Sequence, residues 1–113
     1  MHLLPYMPLA SGLLSGKYRG GAIPTGSRLA RMPFMKGSPA AKCRRRRLLA
    51  GVRRSARIRL AQLALAWLAG NRIVGSVIAG ATSAEQVVQN ASAGDIKLSA
   101  ADRVEIEVSA PGA

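Results

Sequence analysis

Acidic residues are nearly absent from most of this 113-residue chain: there are five Asp and Glu against 17 Lys and Arg, and none of the five precedes Glu85. A carboxylate pair for general acid and base work, or a Ser-His-Asp triad, therefore cannot be assembled from the first 84 residues. Histidine is represented once, by His2, and neither Ser11 nor Ser15 has a base near it in sequence. A single cysteine, Cys43, excludes an internal disulfide framework and a cysteine-based zinc site, and it suits a reducing cytoplasm. No metal site is expected. Aromatics make up 4% of the chain, and the longest uncharged apolar stretch, Leu60 to Gly70, is too short to cross a bilayer. The opening Met1-His2-Leu3-Leu4-Pro5 has neither a basic region nor a long apolar core, so no secretory signal is expected.

What is present is basic and apolar. The formal charge is +12, with 49% hydrophobic residues and a mean hydropathy of +0.13, values of a folded rather than a disordered chain. Nine basic residues fall between Lys42 and Arg59, in the run Lys42-Cys43-Arg44-Arg45-Arg46-Arg47 and at Arg53, Arg54, Arg57 and Arg59. Such a block marks either an anionic contact, nucleic acid included, or a solvated face. No nucleic-acid motif accompanies it, and only Phe34 and Trp67 lie near as stacking rings, so a nucleic-acid partner is the lesser reading.

Residues 2 to 9 read as a short buried strand that Pro5 and Pro8 end early, each removing a ladder donor. Residues 10 to 39 read as loop, with six glycines and three prolines. Leu60, Leu63, Ala64, Trp67 and Leu68 recur at helical spacing and predict one helix over residues 57 to 69; a second, opposed by its own arginines, is expected at about 42 to 54. Ile73 to Ala79 is a β-branched run that predicts a buried strand. Ser83-Ala84-Glu85-Gln86 has capping-box spacing, with the Ser83 hydroxyl expected on a first-turn amide and the Gln86 side chain on the Ser83 amide, opening a helix to about Ala93. A last helix runs from Ala100 to about Val108, with Ala101, Val104 and Val108 on one face. Strands alternating with helices give an α/β fold with parallel strands, and two strands are too few for such a sheet, so the chain reads as part of a larger one.

Two places suit an anion. The turn Ala79-Gly80-Ala81-Thr82-Ser83 leads into a helix N-terminus, where free amides and the positive end of the dipole meet. The loop Ser11 to Lys17 is punctuated by glycine, with Lys17 and Arg28 as charges, although its spacing is not that of a Walker A loop. Loops after the last two strands of a (β/α)8 barrel are a recurrent phosphate site.

The stretch Pro5-Tyr6-Met7-Pro8-Leu9-Ala10-Ser11-Gly12-Leu13-Leu14-Ser15-Gly16-Lys17-Tyr18, with Pro24 and Gly26-Ser27-Arg28 after it, closely resembles the segment after the seventh barrel strand of aldo-keto reductases. Ala61 to Leu68 resembles that family's seventh helix, Ser76 to Asn90 its eighth strand, cofactor turn and following helix, and Leu98 to Asp102 the start of its C-terminal helix. The resemblance implies the C-terminal part of a (β/α)8 barrel, incomplete, from an enzyme that binds NADP(H) and transfers hydride to a carbonyl. Residue by residue, it implies that Tyr6 stacks on the nicotinamide and that Met7, Pro8, Leu9, Ala10 and Ser11 line the pyrophosphate. Lys17 and Arg28 would reach cofactor phosphate, and Gly80, Thr82, Gln86, Gln89 and Asn90 would hold the adenosine 2′-phosphate and adenine. At the Gln89 position the family often uses Glu. The family's catalytic Asp, Tyr, Lys and His have no matching segment, so no catalytic residue is assigned and the chain is expected to be inactive alone. Its expected partners are NADP(H) and the N-terminal part of the barrel, with no membrane. The Arg-rich residues 42 to 59 depart from the family pattern; a shifted reading frame in a non-functional remnant would also produce such a stretch.

Overall fold

A computed structural model describes residues 1–15, 23–31 and 58–109. The expected helix at 42 to 54, most of the Arg-rich block and Lys17 lie outside the described residues. A 3-10 turn at Ala10–Ser15 comes first, followed by the one-turn helix α1 (Arg28–Arg31), α2 (Leu60–Ala69), α3 (Ala84–Ser92), a second 3-10 turn (Ala93–Asp95) and α4 (Ala100–Ser109).

The two expected strands are corrected to a single parallel bridge, Leu3 with Val74, among the described residues. Leu3 N–H donates to Ile73 O at 2.6 Å and Gly75 N–H donates to Leu3 O at 3.0 Å, the pattern of a parallel ladder. The next rung would need a donor at residue 5 to meet the Gly75 carbonyl, and proline has none. Pro5 O instead accepts from Ile78 N–H at 3.1 Å, one residue beyond regular register. Among the described residues the pair is largely uncovered: Leu3, Ile73 and Ile78 remain 55%, 59% and 53% exposed, and Pro5, Val74 and Val77 are only half-buried. Two strands without a buried face fall short of an independently stable sheet.

The core lies around α2, where Leu60, Leu63, Leu65 and Ala66 are buried together with Ala93. Helix α2 packs against α3, the Ala93–Asp95 turn and the Ala10–Ser15 turn. The periodicity placed Ala64, Trp67 and Leu68 on the buried face; all three are half-buried, and Leu65 and Ala66 take their place. Nine of ten α2 residues are apolar, so no polar stripe fixes the rotation of the helix, and neighbours on more than one side decide it. Helix α2 also starts later than the expected residue 57. Arg59 is extended (φ −70°, ψ 147°), as suits a cation facing the positive end of a helix dipole. Gln62 secures this start, its Oε1 accepting from Arg59 N–H at 3.2 Å while its Nε2 donates to Ser92 Oγ at 2.9 Å and so ties α2 to α3.

The expected loop contains two short helical turns among its described residues. Gly12, with φ of 94°, occupies a region that favours glycine and lets Ala10–Ser15 close on Leu9 O, which accepts from Gly12 N–H and Leu14 N–H at 3.0 and 3.2 Å. The Ser27 hydroxyl accepts from Ala30 N–H at 3.3 Å and starts α1.

Helices α3 and α4 fall within a residue of their expected ends, each behind a serine. Ser99 Oγ accepts from Asp102 N–H at 3.1 Å, and the Asp102 carboxylate accepts from Ser99 Oγ at 2.7 Å and Ser99 N–H at 2.9 Å. These bonds hold the Asp102 carboxyl below its ordinary value of 3.8, because they favour the charged form. A depressed folded-state pKa contributes stability above the unfolded value and loses it as pH falls through the folded one. We expect the Ser99 and Asp102 amides to lose exchange protection between pH 4 and the folded-state pKa below 3.8, measured by hydrogen exchange, and Asp102→Asn to remove that pH dependence.

A candidate cofactor-phosphate site

The parallel register positions the site. Pro5 and Ile78 are the last joined residues of the bridged pair, so the segments that follow, Tyr6–Ser11 and Ala79–Ser83, leave from the same end. Tyr6 and Met7 are exposed there, 74% and 42%, and Pro8 and Leu9 are half-buried. Ala10 and Ser11 begin the 3-10 turn that packs against α2. Arg28 is the first residue of α1.

The second loop is organised by its own polar groups. Ser83 is extended (φ −145°, ψ 156°), and its hydroxyl accepts from Gln86 N–H at 3.3 Å, as the spacing predicts. The reciprocal half of the capping box is corrected. Gln86 Oε1 accepts from Thr82 N–H at 2.8 Å and from the Thr82 hydroxyl at 3.1 Å, rather than from the Ser83 amide. Thr82 offers two donors to one oxygen where Ser83 would offer one. Asn90 Nδ2 donates to Gly80 O at 3.4 Å across the mouth of the turn. Gly80, Thr82, Gln86 and Asn90, four of the five residues assigned from this region, thus form one cluster at the start of α3. Gln89 stands apart: its Nε2 donates to Glu85 Oε1 at 2.6 Å.

The cluster suits an anion. Helix geometry leaves the first-turn amides of α3 without intrahelical partners, and the dipole adds positive potential at the same place. A Cβ at Gly80 would meet nothing within 4 Å, so the turn is open to a ligand of some bulk. Glu85 is the feature that the sequence motifs did not single out. Its carboxylate engages Gln89 and lies 4.0 Å from the Arg59 guanidinium in an exposed ion pair. The i, i+4 spacing of Glu85 and Gln89 is the only sequence signal of it.

The Ser83→Ala variant should lose about 1 kcal/mol of stability with the N-cap. Urea unfolding followed by far-UV circular dichroism measures this, and an unchanged midpoint would contradict the capping role.

Residues 1–109 match the aldo/keto reductase family, and the chain belongs to it. It is 40% identical over 98 residues to a probable voltage-gated potassium channel subunit beta of Oryza sativa subsp. japonica, covering 83% of this chain and 30% of that protein. A protein of the same description from Arabidopsis thaliana gives the same identity and coverage. An L-glyceraldehyde 3-phosphate reductase of Escherichia coli (strain K12) is 38% identical over 96 residues, covering 80% of this chain and 28% of its own length. The chain thus spans under a third of the length of these relatives. The family implies a (β/α)8 barrel and generally binds NADP(H). Among the described residues no group of three His, Cys, Asp or Glu could hold a metal ion, and no helix is long and apolar enough to cross a membrane.

Proposed function

We propose that this chain is the C-terminal, cofactor-holding portion of an aldo-keto reductase barrel, its seventh and eighth βα units, and that it binds NADP(H) but reduces no carbonyl by itself. The observation that carries the reading is the hydrogen-bonded cluster of Gly80, Thr82, Gln86 and Asn90 at the N-terminus of α3, beside the loop that begins at Tyr6. Thr82 and Gln86 would turn from each other to the adenosine 2′-phosphate, Asn90 and Gln89 would face the adenine, and Lys17 and Arg28 would meet phosphate charge. Tyr6, already exposed, would offer its ring to the nicotinamide, with Met7, Pro8, Leu9, Ala10 and Ser11 along the pyrophosphate. NADPH, when bound, supplies the hydride; the side chains that would handle the substrate proton belong to the part of the barrel that precedes this segment. A cytoplasmic location fits that cofactor and the single thiol.

Titration of the purified chain with NADPH, followed by the fluorescence of Trp67, tests the reading. Trp67 sits half-buried on α2, which packs against both α3 and the Ala10–Ser15 turn. A saturable change is expected for NADPH and a weaker one for NADH, which lacks the 2′-phosphate. No saturable change up to millimolar cofactor would sink the proposal that this portion binds alone. Replacing both Thr82 and Gln86, as Thr82→Val with Gln86→Leu, should weaken NADPH about 10-fold or more, because hydrogen bonds to a charged group contribute about 1.5–3 kcal/mol each. NADH binding should change little.

A further inference from the structure

The first turn of α3 poses a charge problem for the phosphate proposed to bind there. Thr82, Gln86 and Asn90 are neutral, and the one charged residue in that turn is an acid, Glu85. A phosphate monoester carries about −1.5 to −2 at pH 7, so amides and a helix dipole would have to hold a dianion against a neighbouring carboxylate. Of the cations assigned to the cofactor, Arg28 belongs to α1 and Lys17 lies outside the described residues.

A different cation is placed at this turn. Among the described residues the one ion pair joins Arg59 to Glu85 at 4.0 Å, with both side chains exposed. Arg59 precedes α2, and its backbone is held there: its N–H donates to Gln62 Oε1, Gln62 Nε2 donates to Ser92 Oγ, and the Ser92 hydroxyl donates to Gln89 O at 2.9 Å. Glu85 Oε1, which accepts from Gln89 Nε2, closes the circuit back to the Arg59 guanidinium. The start of α2 is thereby tied to the side of α3 that carries Glu85 and Gln89. At 100° per residue, those two share an arc of about 140° with Gln86 and Asn90, so Arg59 stands at the edge of the residues proposed to hold the cofactor. Glu85 and Gln86 are adjacent, and a guanidinium that reaches one needs only side-chain rotation to meet a ligand held by the other.

We propose that Arg59 is a specificity-determining residue for the adenosine 2′-phosphate and that Glu85 is its resident competitor, occupying Arg59 until a phosphate takes its place. The inference rests on the cofactor reading above. An exposed ion pair at this distance contributes little, whereas a phosphate accepts a guanidinium in two parallel charge-assisted hydrogen bonds. Arg59 then stands between the phosphate and the carboxylate that would otherwise repel it.

The test is titration of the full chain with NADPH and with NADH, read by the fluorescence of Trp67. Arg59→Gln should weaken NADPH about 10-fold and leave NADH within about twofold. The bond to Gln62 uses the Arg59 amide, which the variant keeps, so the start of α2 should persist by circular dichroism. Arg59→Lys should recover part of the loss, because it keeps the charge without the fork. Glu85→Gln should tighten NADPH a few fold at low ionic strength, an advantage that fades near 1 M salt, where the Debye length is about 3 Å. Arg72→Gln, at an exposed arginine just past the other end of α2, lowers the net charge equally and should change neither cofactor. If the unchanged chain binds neither cofactor, the cofactor reading falls and this inference with it. If the unchanged chain binds NADPH but Arg59→Gln weakens both cofactors equally, changes neither, or is matched by Arg72→Gln, the cofactor reading stands and the role of Arg59 is overturned. Weaker or unchanged NADPH binding by Glu85→Gln overturns the competition.

Discussion

Leu63→Ala is expected to cost about 2–5 kcal/mol, the range for truncating a buried leucine, and in a core this small that is enough to unfold the chain. Leu63 is 4% exposed on α2, and the buried apolar residues described number only five: Leu60, Leu63, Leu65, Ala66 and Ala93. Among the described residues no second buried cluster stands behind them to keep the helices together. Urea unfolding by circular dichroism would show the loss as a transition already complete, or nearly so, in dilute buffer. Leu65→Ala should act similarly, since Leu65 is equally buried, whereas Val88→Ala, at a side chain 68% exposed, should leave the midpoint within experimental scatter. A tolerated Leu63→Ala would mean that the helices are held by something other than this cluster.

The second large effect is on activity, and it is all or none. On the proposed reading, the chain alone should give no NADPH-dependent carbonyl reduction, because the resemblance assigns none of its residues to the family's catalytic Asp, Tyr, Lys and His. Mixed with, or fused behind, the preceding portion of an aldo-keto reductase barrel that carries those four residues, it should restore NADPH oxidation in the presence of a carbonyl substrate. Exposed Leu3, Leu4, Ile73 and Ile78 on the bridged pair are the surface on which neighbouring strands would settle. Leu3→Asp should abolish the restored activity by placing a charge at that seam, while leaving the helical signal of the isolated chain unchanged. Reduction by the chain alone would overturn the reading, as would a complemented barrel that binds NADPH through other loops.

Helices with serine caps were legible in the sequence because the signal is local. Ser83 and Ser99 each sit beside the amides they cap, and α3 and α4 lie within a residue of expectation. The rotation of α2 was not legible. An almost wholly apolar helix presents no polar face to water, so its neighbours choose which leucines are buried, and Leu65 and Ala66 are inside where Trp67 and Leu68 were expected. The buried strand expected at Ile73 to Ala79 did not form, because strands are completed by partners: only the Leu3–Val74 rung forms among the described residues, and Ile73 and Ile78 are exposed. At the candidate site, the residues brought together at Gly80, Thr82, Gln86 and Asn90 follow from a motif. Their actual pairings do not, because Thr82 outbids Ser83 for Gln86 by offering a second donor, and Gln89 turns to a carboxylate four residues earlier.

The Leu3–Val74 bridge has a kinetic side. It joins Leu3 to Val74, with α2 and the long stretch before it in between, so forming it closes a long loop, whose entropic cost grows with the logarithm of its length. The reward is few hydrogen bonds and no buried face. Helix α2 and its contacts with α3 are far more local, and by topology they assemble first. Among the described elements the bridged pair is then the last to close and the first to open, so the two loops of the candidate site would come apart at their shared root before either loses its own internal bonds.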